Sequence, residues 1–206
     1  MFLGHYAAYR CGRVLHRDLS VNNLMIDWDE SNDHHIGILS DWNLASLIDK
    51  LNDAVPTHLS NITGMVLFVS VNLLSALPPS HQYFHDLESS LYILVWASVH
   101  FTIEKHRCEQ THPKFKLYLA IVSEFKSGFM LKPDGYEMFV KEEFRELFDT
   151  WIDALRIMFA DAYFSREIVN KGITRSAAAF GRLEKSITFE SFMAAIGREP
   201  RYTYTY

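Results

Sequence analysis

The most constraining feature of this sequence is a short polar motif that lies directly before a predicted β-hairpin. In the stretch VLHRDLSVNN, His16, Arg17 and Asp18 are consecutive, and Asn23 follows the aspartate by five positions. Four fixed positions, each about one in twenty, would match by chance roughly once in a thousand sequences of this length. The motif is therefore specific enough to guide the prediction of both the fold and the chemistry.

Two apolar runs after the motif predict the hairpin, with a long polar connection between them. The first run, the polar connection and the second run are Leu24 to Ile26, Asp27 to His35 and Ile36 to Leu39. Because antiparallel strands bring their outer ends side by side, we expect Asn23 and Asp41 to converge near Asp18. The sequence thus predicts two carboxylates and an amide in one small volume.

This set of side chains suits phosphoryl transfer, in which positioning and charge neutralisation matter more than covalent help from the protein. Magnesium prefers oxygen ligands and usually takes only one or two carboxylates from a protein. Asn23 and Asp41 can supply such oxygens. Asp18 then remains free to orient a substrate hydroxyl and to accept its proton.

The composition indicates a folded, intracellular protein. Of the 206 residues, 49% are hydrophobic and 22% are charged, and the formal net charge is −5, which argues against a nucleic-acid or anionic-membrane partner. The longest apolar run, Leu91 to Val99, is too short to span a bilayer. Cys11 and Cys108 form no CxxC pair, which favours a reduced compartment, the cytoplasm or the nucleus. The sequence does not specify an oligomeric state.

The remainder of the chain predicts one mainly helical domain over residues 1–206. The predicted helices are residues 3–11 ended by Gly12, Asp86 to about Ile103, Phe115 to Phe125, an apolar stripe from Phe144 to Phe159, and residues 189–196 capped by Thr188 and ended by Gly197. Residues 42–80 contain three prolines and show weak periodicity. We expect them to be mostly extended or irregular.

These motifs resemble the fungal-type protein kinases and, more distantly, the casein-kinase-like branch of the protein kinase superfamily. The matching stretches are HRDLSVNNLMI (16–26), SDWNLAS (40–46), TGMVLFVSVNLLS (63–75) and HDLESSLYILVW (85–96). The resemblance extends over about residues 1–165. It implies a large C-terminal lobe, which is a mainly helical fragment of the α+β kinase fold with one β-hairpin framing the catalytic loop. The implied divisions are a catalytic loop at 16–23, an activation segment at 41–74 and a helical remainder at 86–197.

The resemblance implies transfer of the ATP γ-phosphate to serine or threonine of a protein substrate, with ATP and Mg²⁺ as cofactors. The implied roles are catalytic base for Asp18, magnesium and nucleotide ligand for Asn23 and Asp41, and structural support for His16, Arg17 and Asp86. Asp86 would brace the backbone of the catalytic loop from the start of the large central helix.

The sequence also departs from the kinase pattern. Met65 stands where many serine/threonine kinases have threonine, Ser20 stands where many have a phosphate-contacting lysine, and Asn72 replaces the acid that ends the activation segment. The usual buried ion pair of that acid with a later arginine therefore cannot form. No GxG occurs, the first lysine is Lys50, and only fifteen residues precede the motif. We therefore expect a chain without the ATP-clamping small lobe, weak or inactive alone.

Two other functions remain open on the sequence. One is a pseudokinase or scaffold that binds without catalysis, and the other is a small-molecule phosphotransferase with the same Asp, Asn and Asp arrangement. A zinc-protease site at His81 and His85 is disfavoured, because Gln82 between them cannot act as the general base.

Overall fold

The structure is mostly helical, and its small antiparallel sheets lie before residue 109 in the part of the chain that is described. The computed structural model describes residues 2–30, 33–48, 66–75, 78–104, 107–108, 119–132, 137–164 and 177–199. The helices are α1 (Phe2–Arg10), α2 (Tyr83–His100), α3 (Leu119–Leu131), α4 (Arg145–Leu147), α5 (Asp153–Phe164), α6 (Ala177–Ser186) and α7 (Phe189–Ala195). The strands are β1 (Val14–Leu15), β2 (Leu24–Asp29), β3 (His34–Leu39), β4 (Ser46–Leu47), β5 (Phe101–Thr102) and β6 (Arg107–Cys108).

The predicted hairpin is confirmed, but its connection is shorter than the sequence suggested. Strands β2 and β3 pair antiparallel, with Leu24 opposite Leu39 at the open end and Asp29 opposite His34 at the closed end. The polar stretch is therefore largely strand, and only residues 30–33 connect the two strands. Trp28 and His35 lie opposite each other with ring centroids 4.8 Å apart, and this cross-strand aromatic pair supports the extension.

The expectation of a single hairpin is too simple, because three two-stranded sheets occur in the described part of the chain. Strand β1 pairs antiparallel with β4, and the backbone N–H of Ile48 donates to the carbonyl of Arg13 at 2.7 Å. Strand β5 pairs with β6 directly after α2. Strands of two residues are too short to show a periodic pattern, so the sequence did not predict these two ladders. The β1–β4 ladder returns the chain beside the entrance to the predicted catalytic loop.

Helix α2 passes through the hydrophobic core and is buried along most of its length. It begins at Tyr83, three residues before the predicted start, and it ends at His100, where the backbone of Phe101 becomes extended. The predicted apolar stripe of the later helices is also confirmed. Its fully buried members are Phe148, Ile152, Leu155 and Phe159. A π-helical turn over Phe148–Ile152 joins α4 to α5, so the stripe is not one regular helix.

The remaining helix predictions are confirmed with shifted ends. Helix α3 runs six residues past the predicted end, and residues 115–118 of that prediction lie outside the described residues. Thr188 caps α7, because its side chain accepts from the backbone N–H of Ser191 at 3.2 Å. Gly197 follows with φ at 65°, which glycine adopts readily. Among the described helices, none combines the length and the apolar character needed to cross a membrane.

Gly12 lies in the turn that follows α1, close to the backbone of Ala8. The residue of this turn with a positive φ is Arg13, at 52°. A Cβ atom built on Gly12 would lie 2.8 Å from the carbonyl oxygen of Ala8, whereas one on Gly4 meets nothing within 4 Å.

We predict that Gly12→Ala lowers the free energy of unfolding by about 1–3 kcal/mol, because the backbone must shift to remove the clash. Gly4→Ala, inside α1, is the control and should raise the free energy of unfolding by about 0.5–1 kcal/mol. Urea unfolding of both variants measures the difference. Equal effects of the two substitutions would contradict the assigned role of Gly12.

Candidate functional site

His16 lies at the centre of the predicted catalytic loop. Its side chain is fully buried, and its Nδ1 atom accepts a hydrogen bond from the backbone N–H of Asp18 at 3.3 Å. Because Nδ1 is the acceptor, Nε2 carries the hydrogen and donates to the carbonyl oxygen of Ser40 at 2.9 Å. The edge of the ring also contacts Trp42, with centroids 4.6 Å apart. One histidine therefore ties the catalytic loop to the residue that precedes Asp41.

Asn23 links the catalytic loop to the end of the hairpin. Its Nδ2 atom donates to the carbonyl oxygen of Asp18 at 2.7 Å and reaches the Oδ2 atom of the same residue at 3.4 Å. The carbonyl oxygen of Asn23 accepts from Ser40, both from the backbone N–H at 2.8 Å and from Oγ at 3.1 Å. Because Nδ2 makes the side-chain bonds, they do not engage Oδ1, the amide atom that can bind a cation.

Asp41 follows Ser40 directly and is exposed. Its backbone is left-handed, with φ at 58° and ψ at 68°, a conformation that is uncommon for a residue with a side chain. Arg17 also has a positive φ, of 71°, and its Nε atom is buried without a hydrogen-bond partner. Strained backbone of this kind persists only where the surrounding contacts hold it, and it clusters at functional sites.

Asp86 lies in the first turn of α2 and is fully buried. Its Oδ2 atom accepts hydrogen bonds from the backbone N–H of His16 at 3.2 Å and of Arg17 at 3.4 Å. Oδ2 also accepts from Nε2 of His5 at 3.1 Å, and Oδ1 accepts from Nε2 of His81 at 2.7 Å. Burial alone would raise the pKa of Asp86, but His81 and the hydrogen bonds from both histidines hold it well below its usual range. The carboxylate therefore stays charged and holds the loop backbone.

Sequence reasoning missed two of the four donors to Asp86. His5 lies on α1, 81 positions away from Asp86, and no local pattern connects the two. His81 was weighed only as one half of a zinc pair with His85. The structure gives these histidines separate partners, because His85 Nδ1 accepts from the backbone N–H of Gln82 at 2.8 Å. No group of three or more His, Cys, Asp or Glu residues is placed to hold a metal ion anywhere in the described ranges.

His85 is the second unusual buried group near the start of α2. It is fully buried, and its Nε2 atom has no hydrogen-bond partner. Burial, followed by the neighbouring His81, lowers the pKa of His85 well below its usual value, and the opposing effect of Asp86 is smaller. His85 is therefore held neutral in the folded protein.

The end of the predicted activation segment is attached to α2 through Glu88. Ser70 Oγ donates to Glu88 Oε2, and the backbone N–H of Val71 donates to Oε1 at 3.0 Å. Tyr163 OH, on α5, donates to Oε2 at 2.5 Å. The Nδ2 atom of Asn72 is buried without a partner. Thr63 to Met65, which the sequence assigns to the substrate-facing part of the segment, lie outside the described residues.

The donor set suits a hard cation such as Mg²⁺. Asn23 Oδ1 and the carboxylate of the exposed Asp41 are oxygen atoms that could bind such a cation, and hydrogen bonds join the backbone of Asn23 to Ser40, the residue before Asp41. Asp18 is half-buried beside them. The adjoining hairpin exposes several apolar side chains to solvent, namely Met25, Ile26, Trp28, Ile36 and Ile38. Because side chains alternate along a strand, Met25, Ile36 and Ile38 lie on one face of the hairpin and Ile26 and Trp28 on the other, so both faces expose apolar area that a ligand or a partner could cover.

Comparison with known proteins supports one family. Residues 2–98 match the family model described as fungal protein kinase. This range contains the catalytic loop, the hairpin, the end of the activation segment and nearly all of α2, whereas the sequence resemblance was expected over about residues 1–165. No match was found among curated proteins or among solved structures.

We predict that Asp86→Asn lowers the free energy of unfolding by about 3–5 kcal/mol, because it removes a buried charge on which four donors converge. Asp161→Asn, at an exposed position of α5, is the matched control and should change it by less than about 0.5 kcal/mol. Chemical denaturation measures both values. A loss at position 86 no larger than that at position 161 would contradict the role assigned to this carboxylate.

We predict that acidification destabilises the protein partly through His85. The folded state keeps this side chain neutral, while the unfolded chain binds a proton below its ordinary pKa of 6.5. Stability should therefore fall as the pH drops below about 6.5, by up to about 1.4 kcal/mol per pH unit from this group. The measurement is the free energy of unfolding as a function of pH. His85→Asn should remove this part of its slope below pH 6.5, and His34→Asn, at an exposed hairpin position, should not. Parallel slopes for the wild type and His85→Asn would refute the prediction.

Proposed function

We propose that this chain, whose residues 2–98 belong to the fungal protein kinase family, carries the large-lobe part of a protein kinase centre. The reaction is transfer of the ATP γ-phosphate to a serine or threonine hydroxyl of a protein. The observation that carries the proposal is the bonded set at the catalytic loop. Asn23 binds Asp18 through its amide nitrogen, and Ser40 binds the carbonyl of Asn23 immediately before Asp41.

Each side chain of this set has a distinct role in the proposed reaction. Asn23 Oδ1 and Asp41 bind magnesium, which when bound supplies the positive charge that neutralises the transferring phosphoryl group. Asp18 orients the substrate hydroxyl and accepts its proton. The bond from Asn23 Nδ2 limits the rotation of the Asp18 carboxylate and so helps to direct its free oxygen. His16, Arg17 and Asp86 support the loop and do not touch the substrate.

The helical part of the structure supports the large-lobe assignment. Helix α2 is buried in the middle of the described helices, and Asp86 connects its first turn to the catalytic loop. The exposed apolar hairpin adjoins the proposed magnesium ligands, which suits a face that contacts the nucleotide base or another lobe.

Two observations bear on the alternative functions. Asn72 stands where the resemblance implies an acid, and its buried Nδ2 atom has no partner, which favours a scaffold without catalysis. The attachment of Ser70 and Val71 to Glu88 favours a protein substrate over a small molecule, because it orders the segment expected to contact a peptide.

We predict that Mg²⁺ and ATP together raise the thermal unfolding midpoint of the chain, because ligands that bind only the folded state stabilise it. ATP with EDTA should give a smaller shift. Asp41→Asn should remove most of the magnesium-dependent part, since an amide binds this cation less well than a carboxylate. The matched control is Asp33→Asn, at an exposed position in the connection of the same hairpin, which should keep the full shift.

The same samples distinguish the proposed function from its alternatives. Phosphate transfer to a serine- or threonine-containing protein, lost in Asp18→Asn, supports the kinase. A magnesium-dependent shift without transfer to protein or small molecules favours the pseudokinase. Loss of the shift in the Asp33 control but not in Asp41→Asn would contradict the ligand assignment.

A further inference from the structure

Lys126 on α3 has a buried amine that the proposed reaction does not use. Its side chain is 6% exposed, and lysine is rarely buried to this extent without a partner. Its Nζ atom donates to the backbone carbonyl of Val66 at 3.2 Å and to that of Val69. These two carbonyls belong to the part of the activation segment that leads into Ser70. Lys126 therefore holds the backbone of this segment from the side of α3.

Glu88 holds the same segment from the side of α2. It accepts from Ser70 Oγ and from the backbone N–H of Val71, the residues that directly follow those held by Lys126. Tyr92 contacts both side chains, because its OH donates to Glu88 Oε1 at 2.7 Å and Lys126 Nζ lies 3.9 Å from the centre of its ring. A lysine on one helix and a glutamate on another thus bind the segment at four positions between residues 66 and 71.

We propose that Lys126 and Glu88 form a clamp that positions residues 66–71, in place of the ion pair that Asn72 cannot make. The clamp is made by side chains of α2 and α3 acting on the backbone of the segment, whereas Asn72 itself contributes an unpartnered amide. Lys126 and Glu88 are positioning residues and touch no substrate. The clamp is inferred from the contacts alone. The further statement that the clamped segment presents a protein substrate rests on the proposed function.

The protonation of Lys126 gives the clamp a measurable pH dependence. Burial lowers the pKa of Lys126 to about 7, and the smaller effect of Glu88 opposes this. A neutral amine keeps two N–H groups, which equals the number of carbonyls it meets. When the segment opens and the side chain reaches water, its pKa returns to its ordinary value of 10.5. Opening therefore takes up a proton between about pH 7 and 10.5, and the closed form becomes more stable as the pH rises.

Among the described residues, the other titratable groups near Lys126 lie on α2 and α5. Glu88 and Tyr92 face it from α2, and Tyr163 reaches the same carboxylate from α5. Burial, followed by Glu88, raises the pKa of Tyr163 well above its usual value, so it remains neutral over this window. Arg156, also on α5, donates to the carbonyl of Met130 at 2.8 Å, near the end of α3. A proton taken up in this pH range on opening is thus assigned to Lys126.

Hydrogen exchange of the full chain tests the clamp without any need for activity. The reporters are the amides of Val69, Val71 and Leu73, each of which is hydrogen-bonded. We expect Lys126→Met to speed their exchange roughly tenfold or more, because the carbonyls of Val66 and Val69 lose the hydrogen bonds that tie them to α3. Lys132→Met, at an exposed position just after α3, should leave the rates unchanged. Unchanged protection in Lys126→Met would overturn the proposal.

The pH profile separates a clamp from simple packing. After correction for intrinsic exchange, protection of the three amides in the wild type should rise up to tenfold per pH unit between about pH 7 and 10. Lys126→Met should lose this slope, whereas Lys126→Arg should keep the segment protected without the slope, since arginine stays charged. A wild-type profile that is flat over this range would overturn the proton-linked clamp.

A double-mutant cycle tests whether the two side chains act together. Glu88→Gln should also speed exchange of the reporters, and Glu124→Gln, at an exposed position of α3, should not. The double variant with Lys126→Met should exchange little faster than the more affected single variant. If the increases in exchange rate of the two single variants multiply in the double variant, the two side chains act independently and the joint clamp is refuted. Amides of α5 show in each sample that the fold is retained. A failed kinase assay with these results intact would reject the proposed function alone.

Discussion

The buried carboxylate of Asp86 is the group on which the rest of the site depends. A charge without partners in the interior of a protein costs several kcal/mol, so this carboxylate is stable only when its donors are in place. Those donors come from three separate parts of the chain: the backbone at His16 and Arg17, the side chain of His5 on α1, and the side chain of His81. The position of α1, the path of the loop and the first turn of α2 are therefore fixed together.

From this group, order extends to the proposed magnesium ligands through hydrogen bonds alone. Asp86 fixes the backbone of His16, and the imidazole of His16 binds the carbonyl of Ser40. Ser40 in turn binds the carbonyl of Asn23, so the two ends of the hairpin and the loop form one connected unit. The left-handed backbone of Asp41 is tolerated because the residue before it is held from both sides. Loss of the Asp86 carboxylate would therefore disturb the position of Asp41, although the two side chains are not in contact.

The sequence predicts those parts of the structure that consecutive residues encode. The hairpin, the apolar stripe before Phe159 and the Thr188 cap depend on patterns a few residues long, and all three occur. The bond between His5 and Asp86 and the contacts of Lys126 join residues 57 to 81 positions apart, with no periodic signal between them. Such contacts exist only once the helices have packed, so the sequence indicates the motif residues but not the groups that hold them.

Helix geometry explains how α2 can hold both the catalytic loop and the segment that contains Val71. Successive residues of an α-helix are rotated by about 100°, so residues two positions apart point in directions that differ by about 200°. Asp86 and Glu88 are two positions apart on α2, and they serve opposite sides of it. Asp86 holds the catalytic loop, and Glu88 holds the backbone at Val71. The two buried acids of α2 are each compensated by several donors, and any rotation of α2 would disturb both the catalytic loop and the segment at Val71. The relative position of the loops is therefore a property of this helix.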